Sequence, residues 1–154
     1  MVIIHSDLGV LVKAVISKVS QNTLEIDQST LLLLMYLCDW HSCVKYGCRF
    51  TGIQWFVSKR GLSDLGLESY LRAHEDEFAL DDVRKRVSVK GGVPIITNEY
   101  ELSVINRVYE LYEDRAWAGL VTFALSTYPI MSSSSDALEQ IDLLSKAQDY
   151  VSKK

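Results

Sequence analysis

Apolar residues recur along this chain at two spacings, and each change of spacing marks a change of structure. Leu8, Leu11, Val12, Val15, Ile16 and Val19 fall at i, i+3 and i+4 positions, the stripe of an amphipathic helix. Asp7 stands where a cap belongs, so the pattern predicts a helix over Leu8 to Val19. After the polar connector Ser20 to Thr23, Asp27 or Ser29 starts a second helix that reaches about Tyr46. Its first half, around Leu31 to Cys38, is apolar on every side, which is how a helix wrapped by others reads. Its second half, Asp39 to Lys45, is amphipathic, and Gly47 supplies the left-handed residue that ends it.

From Phe50 to Ser58 the period shortens to two, with Phe50, Gly52, Gln54 and Phe56 alternating against Thr51, Ile53, Trp55 and Val57, as in a strand. Helical spacing resumes between Leu62 and Leu80, predicting one or two short helices with an acidic edge at Glu75 to Glu77. Arg86 to Lys90, Gly91-Gly92 and Val93 to Ile96 together predict a hairpin, because paired glycines tolerate the positive φ angles of a tight turn. Thr97 or Asn98 caps a further helix that ends near Asp114, its stripe formed by Leu102, Ile105, Val108, Tyr109 and Tyr112. Ala116 to Thr127 is nearly all apolar and reads as a buried helix. Asp136 to Lys154 reads as a last amphipathic helix, packed on the rest or peripheral, with Leu138, Ile141, Leu144 and Tyr150-Val151 turned inward.

These elements predict an α+β chain, mostly α. It is a compact bundle around a buried central helix with a small antiparallel β element, in one domain over 1–154. With 154 residues, 48% of them hydrophobic, one sizeable core is within reach. Lys and Arg number 16 against 20 Asp and Glu, a net charge of −4, which argues against nucleic acid as a partner. The longest apolar run, Leu31 to Cys38, falls far short of the roughly 20 residues that span a bilayer. No basic leader precedes the first apolar residues. A cytoplasmic protein with no membrane partner is the expectation, and three cysteines between Cys38 and Cys48 suit a reducing compartment.

Those cysteines, with His41, raise the question of a metal or a nucleophile. On a helix, Cys43 lies about 140° round the axis from Cys38. Cys48 falls beyond the Gly47 stop, and neither CxxC nor HxxxH spacing occurs. A Cys–His dyad would need a cleft and an oxyanion site that one helix does not supply. Inert thiols, no metal, no cofactor and no catalytic residue are therefore expected, and the chain is not expected to be an enzyme.

Tyr36-Leu37-x-Asp39, Tyr46-Gly47, Thr51-Gly52 and Gly61, in this register, resemble the Panacea (SocA-like) antitoxin domain. Leu102 to Tyr112, then Asp114, Ala116-Trp117, Leu120 and Pro129, are similar to the C-terminal half of that family. The chain has Arg60-Gly61-Leu62 where the family usually shows Tyr-Gly-Pro. The resemblance implies a bacterial or phage-borne protein that neutralises a partner toxin by direct contact or delivers it for proteolysis. The alternative is a phage or mobile-element inhibitor of a host defence protein. Within the matched stretch, Tyr46-Gly47 reads as a helix terminator, and Asp39 is expected to bond a neighbouring backbone amide or an Arg. Partner contact is expected at an aromatic anchor, Trp55 or Phe56, with Lys59 and Arg60 at its rim.

Overall fold

A computed structural model describes residues 6–59, 61–93, 98–133 and 138–153. In chain order its elements are α1 (Leu8–Val19), β1 (Glu25–Asp27), α2 (Gln28–Tyr46), β2 (Gln54–Ser58), β3 (Gly61–Leu65) and α3 (Leu67–Ala73). There follow β4 (Phe78–Asp81), β5 (Arg86–Val89), α4 (Glu99–Glu113), α5 (Trp117–Leu125), α6 (Tyr128–Met131), β6 (Glu139–Ile141) and α7 (Leu143–Ser152). The mostly helical α+β architecture agrees with the sequence pattern, although the β structure is divided between two small sheets.

The all-round apolar stretch of α2 is the core of the molecule. Leu34, Met35, Tyr36 and Cys38 have no exposed surface, and α1, α4, α5 and α7 pack around the helix. Each side chain so buried contributes roughly 1.5–3 kcal/mol. The Tyr36 hydroxyl shares a buried 2.7 Å hydrogen bond with the Thr127 hydroxyl, so the single polar tip on this apolar face is satisfied. At the far end Gly47 adopts φ +70° and its amide donates to the Cys43 carbonyl. A side chain there would carry the strain of a left-handed L-residue.

One sheet has the order β1-β5-β4 and the other β3-β2-β6, with every pairing antiparallel. The first corrects the expected hairpin across Gly91-Gly92. Strand β5 pairs with β4 through the 82–85 turn and with β1 on its other edge, so neither edge is left for a following strand. Residues 94–96 of that expected strand, and Thr97, lie outside the described residues. The second sheet corrects the all-helical reading of Leu62 to Leu80, because Gly61–Leu65 pairs with β2 before α3 begins. Asp64, the penultimate residue of the strand, accepts the Leu67 amide at 3.0 Å, the first amide of α3, whose cap position is Gly66.

The last segment is a strand followed by a helix, not one helix over 136–154. Ile141 pairs with Trp55 in the sheet, and Asp142 caps α7 by accepting the Ser145 amide. The inward residues are accordingly Ile141, Leu143 and Ala147, while Leu138 and Val151 are exposed. Helix α5 is also less buried than expected: Leu120 and Ala124 face the core, whereas Trp117 is exposed and Arg115 covers the Phe123 ring. Helix α4 begins at Asn98, whose side chain accepts the Tyr100 and Glu101 amides. Its buried stripe runs through Glu101, Val104, Ile105 and Val108, and Leu102 faces out. Glu101 can lie inside because it accepts both the amide and the hydroxyl of Ser6, at 2.9 and 2.6 Å. Charge-assisted bonds of this kind offset the desolvation of a carboxylate. They also anchor the entry to α1, whose own Asp7 makes no side-chain cap bond.

Candidate functional site

The segment from the end of α2 to β2 is organised by one buried carboxylate. Asp39 accepts the Thr51 amide at 2.7 Å, the Thr51 hydroxyl at 2.6 Å and the Trp55 indole N–H at 2.8 Å. Arg49 Nη2 adds a 3.3 Å ion pair and also donates to the Ile53 carbonyl. Both partners expected for Asp39, a backbone amide and an arginine, are thus present, and the Trp55 indole joins them. Burial pushes the Asp39 carboxyl above its ordinary range, while Arg49, Thr51 and Trp55 pull in the opposite direction. The spacing of Asp39, Thr51 and Trp55 therefore ties the 47–53 loop and the first half of β2 to the central helix.

This network fixes which side of β2 faces outward. Trp55 is wholly buried, edge-on to Tyr36 with ring centroids 5.4 Å apart. Its indole N–H is consumed by Asp39, so Trp55 is a core residue and not a surface anchor. Alternation along the strand then turns Gln54 and Phe56 to the other face. Phe56 is half-buried there, opposite Ser63 on β3 and Gln140 on β6. Leu65, 60% exposed, lies opposite Gln54, and Leu138, 64% exposed, stands two residues before Gln140. Lys59 is exposed in the β2–β3 turn, and Arg60 lies outside the described residues.

The outcome is an open sheet face with Phe56 near its centre, flanked by Leu65 and Leu138 among Gln54, Ser63 and Gln140. An aromatic amid exposed aliphatic and uncharged polar groups has the composition of a protein contact. Sequence reasoning named Phe56 and Lys59 but not Leu65 or Leu138, which the structure places beside Phe56. Both lie in stretches whose apolar spacing also fits a helix, and the signal that separates them is an aspartate at or near the end of each strand, Asp64 or Asp142, that accepts an amide of the following helix.

The cysteines sit apart from this face. Cys38 and Cys43 are buried, and burial next to Asp39 raises both thiols, that of Cys43 to about 12. Thiols held protonated are poor nucleophiles and poor ligands at neutral pH. Among the described residues no group of three or more His, Cys, Asp or Glu is placed to hold a metal ion.

His41 is also partly buried, its Nε2 without a hydrogen-bond partner. Burial, Lys45 and Arg107 lower its pKa from the ordinary 6.5. Below that ordinary value the unfolded chain takes up a proton that the folded chain resists. Stability through this group is therefore full above pH 6.5 and lost as pH falls through the lowered value. Urea titrations at a series of pH values from 7.5 downward should show that loss, and His41→Leu should flatten it; an unchanged slope in the variant would refute the assignment.

Comparisons of the chain with models of protein families, with curated proteins and with solved structures found no match in any of the three.

Proposed function

We propose that this chain is a protein-binding, antitoxin-like module that neutralises a partner toxin by direct contact and can deliver it for proteolysis. The Panacea-like register of Tyr36 to Gly61 suggests the class of activity. The observation that carries the reading is the open face around Phe56, with Leu65 and Leu138 exposed beside it. A monomer that leaves an aromatic and two leucines on one sheet face gains by covering them. In this reading Phe56 is the anchor, and Lys59, with Arg60 next to it in sequence, meets acidic groups of the partner at the rim.

The test is co-expression with the product of the adjacent gene. Expression of that neighbour alone should arrest growth, and the intact chain should restore it. Phe56→Asp should abolish the rescue while leaving the urea unfolding midpoint nearly unchanged. A neighbour that is harmless alone, or full rescue by Phe56→Asp, overturns the proposal.

A further inference from the structure

Between the first turns of α2, helix α3 and strand β4 lies a pocket of about 180 Å³, walled by Leu31, Leu32, Leu67, Leu71 and Leu80. Leu31, Leu67 and Leu71 are buried, while Leu32 and Leu80 are half-buried. An aliphatic cavity of about 150 Å³ is enough to hold benzene, so the space suits one small hydrocarbon body.

The walls are not purely apolar, because Asp64 and Glu68 also line the pocket. Asp64 stands opposite Trp55 in the β2–β3 ladder, and alternation puts it on the inner side of β3, away from Phe56. Its carboxylate accepts the Leu67 amide at 3.0 Å. It forms no ion pair among the described residues, whereas Asp39, the other inward carboxylate of this region, has Arg49. Burial raises the Asp64 carboxyl above its ordinary range; the Leu67 amide opposes that shift and Glu68 adds to it. Glu68 pairs with Arg72 at 2.9 Å, but the same guanidinium is shared with Asp82 at 2.7 Å. The pocket therefore keeps a negative balance, and a carboxylate drawn partly out of water is stabilised by an opposite charge.

We propose that this pocket binds a small apolar amine, a primary ammonium carried on a hydrocarbon body about the size of a benzene ring. The ammonium donates to Asp64 with Glu68 beside it, and the hydrocarbon packs against the leucines. A divalent metal ion is not an equivalent occupant, since it needs about six oxygen ligands and the leucine walls supply none. The site uses none of the residues assigned to partner binding, so it stands or falls separately from the antitoxin reading.

Calorimetric titration of the full chain with benzylamine, benzyl alcohol and benzoate at neutral pH tests the proposal. Benzylamine, an ammonium under these conditions, is expected to saturate and to bind about tenfold more tightly than the alcohol, a charge-assisted bond against a neutral one. Benzoate should give no saturable heat. Asp64→Asn keeps an acceptor for the Leu67 amide and should erase the preference for amine over alcohol while leaving the urea midpoint nearly unchanged. Leu32→Phe adds bulk on the half-buried wall and should weaken both ligands with both carboxylates in place. No saturable heat with benzylamine at millimolar concentration overturns the proposal. So does alcohol binding as tightly as the amine, which leaves an apolar hole that makes no use of its carboxylate. A preference for the amine that survives Asp64→Asn, or amine binding indifferent to Leu32→Phe, also overturns it, because the ammonium then sits on some other acidic surface.

Discussion

Asp39→Ala is expected to cost about 3–5 kcal/mol, the scale on which one partner of a buried charge pair is removed. The arithmetic follows from the partners left behind. The Thr51 amide, the Thr51 hydroxyl and the Trp55 indole N–H all donate to this one carboxylate inside the protein. Each orphaned donor forfeits its bond and keeps its desolvation cost, ~1–3 kcal/mol for a neutral group. Arg49 loses its charged partner as well, although its contact with the Ile53 carbonyl remains. Against a typical stability of about 5–15 kcal/mol, such a loss decides whether the domain folds. Urea unfolding followed by far-UV circular dichroism reads it directly, and an unchanged midpoint would remove Asp39 from the centre of the fold. The acid response has the opposite sign to that of His41. Burial raises the folded carboxyl above its ordinary 3.8, so the native chain binds this proton at higher pH than the unfolded chain. The associated stability is greatest in acid and falls as pH rises through that window.

The elements most legible in the sequence were those whose local signals and tertiary environment agree. Helix α1 spans Leu8–Val19 as its stripe requires, and α2 ends at Tyr46 because Gly47 alone can take the left-handed position cheaply. Asp39 was legible as a residue needing partners, since a carboxylate amid leucines must be bonded. The spacing to Thr51 and Trp55 did not say that one carboxylate would collect all three donors. The misreadings share a cause. Strands β3 and β6 are five and three residues long, too short for period two to outweigh the helical spacing of their surroundings. Pairing with β2, a long-range event, is what makes them strands. Gly91-Gly92 carried the strongest local turn signal, yet β5 turns back through 82–85, where Lys85 takes φ +57° without a glycine. Its neighbours on both edges were invisible to a local reading. Trp117 was misplaced because a nearly all-apolar helix suggests burial on every side, whereas a nine-residue helix lying against one face of α2 hides only Leu120 and Ala124 fully.

Adjacent positions on β2 should respond to truncation in opposite ways, and that contrast separates fold from function. Trp55→Ala removes a wholly buried ring and its edge-on contact with Tyr36, and it deprives Asp39 of a donor. Large-to-small changes of this kind cost about 3–5 kcal/mol, so the variant should unfold at much lower urea and lose partner binding only because it is unfolded. Trp55→Phe refills most of the volume but not the N–H, and it should recover part of the stability. Phe56→Ala, on the open side of the same strand, should cost about 1 kcal/mol or less, because its ring is half-covered and bonds nothing. If Phe56 is the anchor of the proposed contact, the partner should nonetheless be released, since truncating an aromatic anchor at an interface centre costs about 2 kcal/mol or more in affinity. Paired urea and binding titrations of the two variants make the comparison. If Phe56→Ala destabilises the domain as much as Trp55→Ala, the outer face is part of the core and the contact surface must lie elsewhere. If Phe56→Ala leaves both stability and binding intact, the sheet face is open but idle, and the antitoxin reading loses the surface on which it rests.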